Sequence, residues 1–130
     1  MAQTPGGTPF VLSASSLESD KVVNPKGEDL GSIEELMLDV NSGRIAYAVL
    51  SFGGILGIGD KLFAIPWDAL KLDTVNERFV LDMDKQMLED APGFDKDNWP
   101  QTTKHDDDTW MMEVYNYYDT DPYWRSGRRR

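Results

Sequence analysis

The chain is predicted to be mainly β: one small, strongly bent antiparallel β-barrel followed by a short helical, aromatic-rich C-terminal extension. Three observations predict this. Residues 10–83 break into many short apolar segments separated by closely spaced turn residues, which suits an antiparallel barrel better than a βαβ sheet. Within residues 51–62, Gly53, Gly54, Gly57 and Gly59 are interleaved with Ile55, Leu56 and Ile58. Such a structural turn can bend sharply and still return side chains to a core. After residue 83 the composition becomes acidic and aromatic, with helical spacing.

The elements follow in order. Residues 1–9 are rich in Pro, Gly and Thr and are expected to be a disordered tail. Phe10-Val11-Leu12 is expected to begin a strand, Ser13 to Leu17 a turn or one helical turn, and Lys21 to Asn24 a short strand. Pro25-Lys26-Gly27-Glu28 places Pro and Gly as a β-turn requires. Leu30 to Asp39 is the next strand; its alternation falters at Glu34-Glu35, which marks a bulge or an exposed edge. Asn41-Ser42-Gly43 closes a hairpin into Arg44 to Phe52. Ile45, Tyr47 and Val49 line one face of that strand and Ala46, Ala48, Leu50 and Phe52 the other, so it should be central and covered on both sides.

Lys61 to Pro66 is a further strand. Pairing should stop at Pro66, which has no amide to donate, and Trp67 to Leu70 should turn the corner. Lys71-Leu72-Asp73 and Arg78 to Asp82 flank a final hairpin, completing a β domain over residues 10–83. An acidic, aromatic-rich extension then spans residues 84–124. It opens with a short helix capped by Asp84 and stopped by Ala91-Pro92-Gly93. Residues 94–100 read as irregular. A second helix runs from Thr109 to Tyr118, with Trp110, Val114 and Tyr117 or Tyr118 on one face and Asp106, Asp107 and Asp108 at its positive end. Residues 125–130 are expected to be a basic disordered tail.

Composition excludes several classes of function. At 130 residues and 40% hydrophobic content, the chain can bury roughly two thirds of its unfolded surface in one core. It has no cysteine, hence no disulfide and no thiolate metal site. No apolar run approaches the roughly 18 residues that span a bilayer, so membrane insertion is not expected. Met1 to Gly7 lacks the basic and apolar regions of a secretion signal, and a cytoplasmic location is expected. Net charge is −10, made up of −6 over residues 1–83, −8 over residues 84–124 and +4 over residues 125–130. The body should repel phosphate backbones and anionic lipid, so no nucleic acid partner is expected.

The chain resembles the PRC-barrel domain, shared by the cytoplasmic part of the photosynthetic reaction centre H subunit and the C-terminal half of the ribosome maturation factor. The likeness lies in Gly27-Glu28-Asp29-Leu30-Gly31-Ser32-Ile33 with Leu38-Asp39, then Gly43-Arg44-Ile45-Ala46-Tyr47-Ala48-Val49-Leu50. It continues through Phe52-Gly53-Gly54 with Gly57-Ile58-Gly59 and ends in Phe63-Ala64-Ile65-Pro66-Trp67. Asp90-Ala91-Pro92-Gly93-Phe94 and Trp99-Pro100 look like the C-terminal extension of small bacterial stand-alone members. The resemblance implies a docking or assembly module rather than an enzyme, and brings no catalytic residues with it. The reaction-centre subunit's transmembrane helix and the ribosome factor's preceding second barrel are not seen in these 130 residues, so neither specific role is expected to carry over.

The residues themselves point the same way. The glycine loop fails as a phosphate-binding loop: Lys61 follows Asp60, and Leu62 stands where a magnesium-binding hydroxyl belongs. Residues 95–100 begin like a calcium loop but lack its fifth-position ligand and sixth-position glycine. His105 is the only histidine, so a typical zinc or copper site and a Ser-His-Asp arrangement are not expected. No cofactor is expected. Trp110, Met111, Tyr115, Tyr118, Tyr123 and Trp124 belong to residue types enriched at protein interfaces. They serve either to cover this chain's own barrel or to meet a partner, possible homodimer included. The leading expectation is therefore a non-enzymatic protein-interaction module. It would bind through the edge at Glu34 and Glu35 or through the aromatic segment. The alternative is a small-ligand or divalent-metal binding domain, with a ligand beneath the glycine loop or an ion at Asp106 to Asp108.

Overall fold

The computed structural model describes residues 11–52, 61–101 and 109–126. Ser13 caps the single turn α1 (Ala14–Leu17) by accepting the Ser16 amide at 3.2 Å, and Leu17 enters the core. The strand expected to start at Phe10 does not extend over Val11 and Leu12, which pair with no strand among the described residues. Among the described residues seven strands follow: β1 (Lys21–Val23), β2 (Asp29–Asp39), β3 (Arg44–Phe52), β4 (Lys61–Ile65), β5 (Leu70–Asp73), β6 (Arg78–Leu81) and β7 (Gly93–Asp95). They form one sheet in the order β5-β6-β1-β2-β3-β4-β7. The mainly β fold is the one predicted.

Two details depart from a purely antiparallel closed barrel. β1 pairs with β6 in parallel, Lys21 to Arg78 and Val23 to Val80, because the whole β2–β5 excursion intervenes and returns the chain in the same direction. The terminal strands β5 and β7 are not paired with each other among the described residues. The bend comes from β2, which pairs with β1 over Asp29–Ser32 and with β3 over Ser32–Asp39. At that corner Gly31 has φ +127°, and a Cβ there would stand 2.2 Å from the Ser51 carbonyl oxygen, so only glycine fits.

The β2–β3 and β5–β6 hairpin turns use one device. In the β2–β3 turn, Asp39 Oδ1 accepts the amides of Asn41 at 2.9 Å and Ser42 at 3.1 Å, and Gly43 takes φ +75°. In the β5–β6 turn, Asp73 Oδ1 accepts the amides of Val75 and Asn76, both at 3.1 Å, and Glu77 takes φ +55°. Pro66 ends β4 as expected, and a 3₁₀ turn at Trp67–Ala69 seats Trp67 edge-on against Phe79, centroids 5.7 Å apart.

β3 is central and buried from Ala46 to Leu50, as its two apolar faces predict. Cross-strand register sorts those faces. On one, Leu50 lies opposite both Ile33 and Phe63, and Ala48 opposite Ile65. On the other, Val49 lies opposite Ala64, Leu62 opposite Phe94, and Tyr47 meets Trp110 at 5.6 Å. The second face is covered by the C-terminal extension. There α2 (Lys85–Glu89) is capped by Asp84, whose Oδ1 accepts the Met87 amide at 2.9 Å, and it buries Leu88. Gly93, expected in the stop after α2, and Phe94 and Asp95, expected to be irregular, instead form β7 on β4. Gly93 permits this approach, since a Cβ would lie 2.8 Å from the Leu62 carbonyl oxygen. α3 (Thr109–Tyr117) buries Met111, Val114 and Tyr115, with Tyr118 just beyond its end, and α4 (Tyr123–Ser126) buries Tyr123. The buried stripe is thus 111-114-115-118: of the expected face, Trp110, Val114 and Tyr117 or Tyr118, it keeps Val114 and Tyr118, while Trp110 and Tyr117 are half-buried beside it.

Candidate interaction surface

The sequence nominates two surfaces, and the structure treats them differently. In the aromatic segment, Met111, Tyr115, Tyr118 and Tyr123 are buried within this chain, while Trp110 and Trp124 are half-buried against it. Of the two roles open to these residues, covering their own sheet is the one seen. The four buried ones are not presented for docking, because helical periodicity turns them onto the sheet. Trp110 packs on Tyr47 and Phe94, and Trp124 on Tyr115 and Tyr123.

Polar contacts hold this cover in place. The Tyr115 hydroxyl donates to the Ala46 carbonyl, and the Arg44 guanidinium donates to the Tyr123 carbonyl and lies 5.5 Å from the Tyr123 ring centroid. The Tyr123 hydroxyl donates to Asp39 Oδ2 at 2.5 Å, and that of Tyr117 to the Met87 carbonyl at 2.5 Å. Burial pushes the Tyr115 phenol well above the ordinary tyrosine range, with the Asp68 charge adding to it. Tyr123 shifts the same way, through burial first and then its bond to Asp39. Both phenols are therefore held neutral as donors. Arg44, Trp67, Asp68, Tyr115 and Tyr123 also enclose a cavity of about 60 Å³. That is about two water volumes, well short of an organic ligand's pocket.

A shallow depression of about 260 Å³ lies between the β1–β2 turn and the start of α2, lined in part by Asn24, Lys26, Asp82 and Met87. Asn24, its buried polar group, is already fully used. Its Oδ1 accepts the Lys26 and Glu28 amides at 3.1 and 2.9 Å, and its Nδ2 donates to Glu28 Oε1 at 2.7 Å. No three His, Cys, Asp or Glu residues converge on a metal position among the described residues. Asp106, Asp107, Asp108 and His105, and the glycines Gly53, Gly54, Gly57 and Gly59, lie outside the described residues.

The second nominated surface, Glu34 and Glu35, is exposed. The expected bulge is present: register with β3 shifts between Ile33 and Glu35, and again between Met37 and Leu38. Along the opposite side of β2, pairing with β1 ends at Ser32, and Ser19 and Asp20 extend it only to Ile33. From Glu34 to Leu38 the strand is therefore paired on one side only among the described residues. Bulge and edge, offered as alternatives from the sequence, coexist. Just beyond, Leu38 is 61% and Val40 90% exposed. Sequence reasoning did not single out these two residues, although apolar side chains flanking an acidic pair on a half-paired strand were the available sign.

No helix among the described residues is long and apolar enough to cross a membrane. No curated protein sequence matches the chain. The sequence model of the PRC-barrel domain family matches residues 11–88, more than half of the chain and the whole of the bent sheet except β7.

Proposed function

This chain belongs to the PRC-barrel family, and from that premise we propose that it is a non-catalytic docking module that recognises a protein partner along the open side of β2. The observation that carries this reading is the one-sided pairing from Glu34 to Leu38, with Leu38 and Val40 exposed beside it. Unsatisfied strand amides and carbonyls beside accessible apolar side chains are the ingredients of recognition by strand addition. Four of the perturbed titratable groups support a role without chemistry, because their partners are structural. Asp73 serves a turn, Asp29 pairs with Lys21 at 3.1 Å, and Tyr115 and Tyr123 clamp the C-terminal cover. Recognition through the aromatic segment, or a homodimer built on it, would require removing Met111, Val114 and Tyr115 from the core they complete. The edge carries no such cost.

Photo-crosslinking tests the reading. A benzoylphenylalanine in place of Leu38 should capture a discrete partner in the source cell. The same probe at Val75, which is more exposed than Leu38 but on the far β5–β6 turn, should not. Equal capture at both positions, or none at Leu38, overturns it.

A further inference from the structure

Resting on the docking edge just proposed, we infer the chemistry of its occupant: an extended segment carrying a basic residue flanked by apolar ones, added to β2 as an antiparallel strand. The two bulges leave Glu35, Leu36 and Met37 as the stretch of β2 in regular register, opposite Val49, Ala48 and Tyr47. Successive side chains in this stretch alternate faces. Glu35 and Met37 share one face of the sheet and Leu36 takes the other. A strand added alongside meets a carboxylate at one position and apolar, half-buried neighbours at the next two. Glu34, displaced into the bulge and exposed, adds a second carboxylate along the same edge strand. Opposite charges across a strand pair stabilise it and like charges destabilise it, so the edge selects Lys or Arg at the position facing Glu35.

The same charges act against the other occupant such an edge attracts, a second copy of itself. Self-pairing brings two more glutamates into one short ribbon, within a Debye length of the first two, between chains that each carry a net charge of −10. The bulges, which over-twist the ribbon, discourage long flat pairing in the same way. Together these features leave a short, basic strand as the complementary partner.

The test uses the full chain and three blocked octapeptides: alternating Lys and Val, alternating Glu and Val, and the Lys peptide with alternate amides N-methylated. Binding is followed by fluorescence anisotropy and by amide NMR shifts over Glu34–Leu38. The Lys peptide should bind at least tenfold more tightly than the Glu peptide, weaken with salt, and perturb those amides. N-methylation should weaken it at least tenfold, because charge remains but the strand's donors are lost. The double substitution Glu34→Lys with Glu35→Lys should reverse the Lys-over-Glu preference. Equal binding of the methylated peptide reduces the effect to charge alone and overturns strand addition. Equal binding of the Lys and Glu peptides, or crosslinks from position 38 to a second copy of the chain, overturns the basic partner. If Leu38 captures a different protein while the Lys peptide fails, the partner chemistry falls and the docking edge stands. If nothing is captured at Leu38, the docking edge falls.

Discussion

Three residues show how differently single positions depend on atoms distant in sequence. Gly31→Ala is expected to cost about 3–4 kcal/mol, since the new Cβ meets the Ser51 backbone and φ is unfavourable as well. Gly43→Ala, with φ +75° and nothing within 4 Å, should cost only about 1 kcal/mol. Urea denaturation of the two variants measures the difference, and equal losses would mean the close approach at Gly31 is unimportant. Tyr118 is the converse case. Its buried hydroxyl has no hydrogen-bond partner among the described residues, and burial raises its pKa above the usual range. Tyr118→Phe should therefore leave stability unchanged or raise it by about 1 kcal/mol, measured the same way. Gly31 was legible as part of a recognisable glycine pattern, but its reason was not. The atom that forbids a side chain there belongs to a strand twenty residues on.

At the scale of elements, turns and caps were the most legible features because their chemistry is local. Ser13, Asp84, the Gly43 turn and the Pro66 stop all act within a few residues of themselves. β7 was not legible, since Gly-Phe-Asp has weak strand propensity and owes its conformation to β4. On α3, Val114 and Tyr118 of the expected face are buried but Trp110 lies at the margin, because aromatic side chains occupy both the buried stripe and its edge; only the sheet beneath distinguishes them. The helix ends in a Schellman motif, with the Thr120 amide donating to the Tyr115 carbonyl at 3.0 Å and the Asp119 amide to the Asn116 carbonyl at 3.1 Å. Asp119 holds the left-handed position at φ +54°, where glycine is usual. Asp119→Gly should raise stability by about 0.5–1 kcal/mol, seen as a higher urea midpoint with unchanged slope. A lower midpoint would show that the Asp119 side chain is itself needed.

For the whole molecule, the sequence indicated a mainly β chain with a covering extension. The parallel β1–β6 pairing stayed hidden because it joins segments more than fifty residues apart. The acid response also belongs to this scale. Asp73 is held below its ordinary value of 3.8, chiefly by the Asn76 side chain and then by the Asn76 amide, and Asp29 chiefly by its bond to Lys21. A carboxyl with a lowered folded pKa stabilises the fold above its unfolded pKa and loses that contribution as pH falls through the folded one. Stability should therefore decline below about pH 4. The double variant Asp29→Asn with Asp73→Asn should be less stable at neutral pH and should show a flatter acid limb in denaturation midpoints taken from pH 6 to 2. An unchanged limb would place the acid sensitivity in other carboxylates.

The Asp39–Tyr123–Arg44 clasp joins the tip of the β2–β3 hairpin to a helix eighty residues later, and so sets the order in which the protein can open. The amides flanking Gly43 and those of α4 should exchange with deuterium as one cooperative unit, sharing a single opening free energy. Tyr123→Phe should then speed exchange at the hairpin tip as well as in α4. An unchanged rate at the tip would show that the two ends open independently.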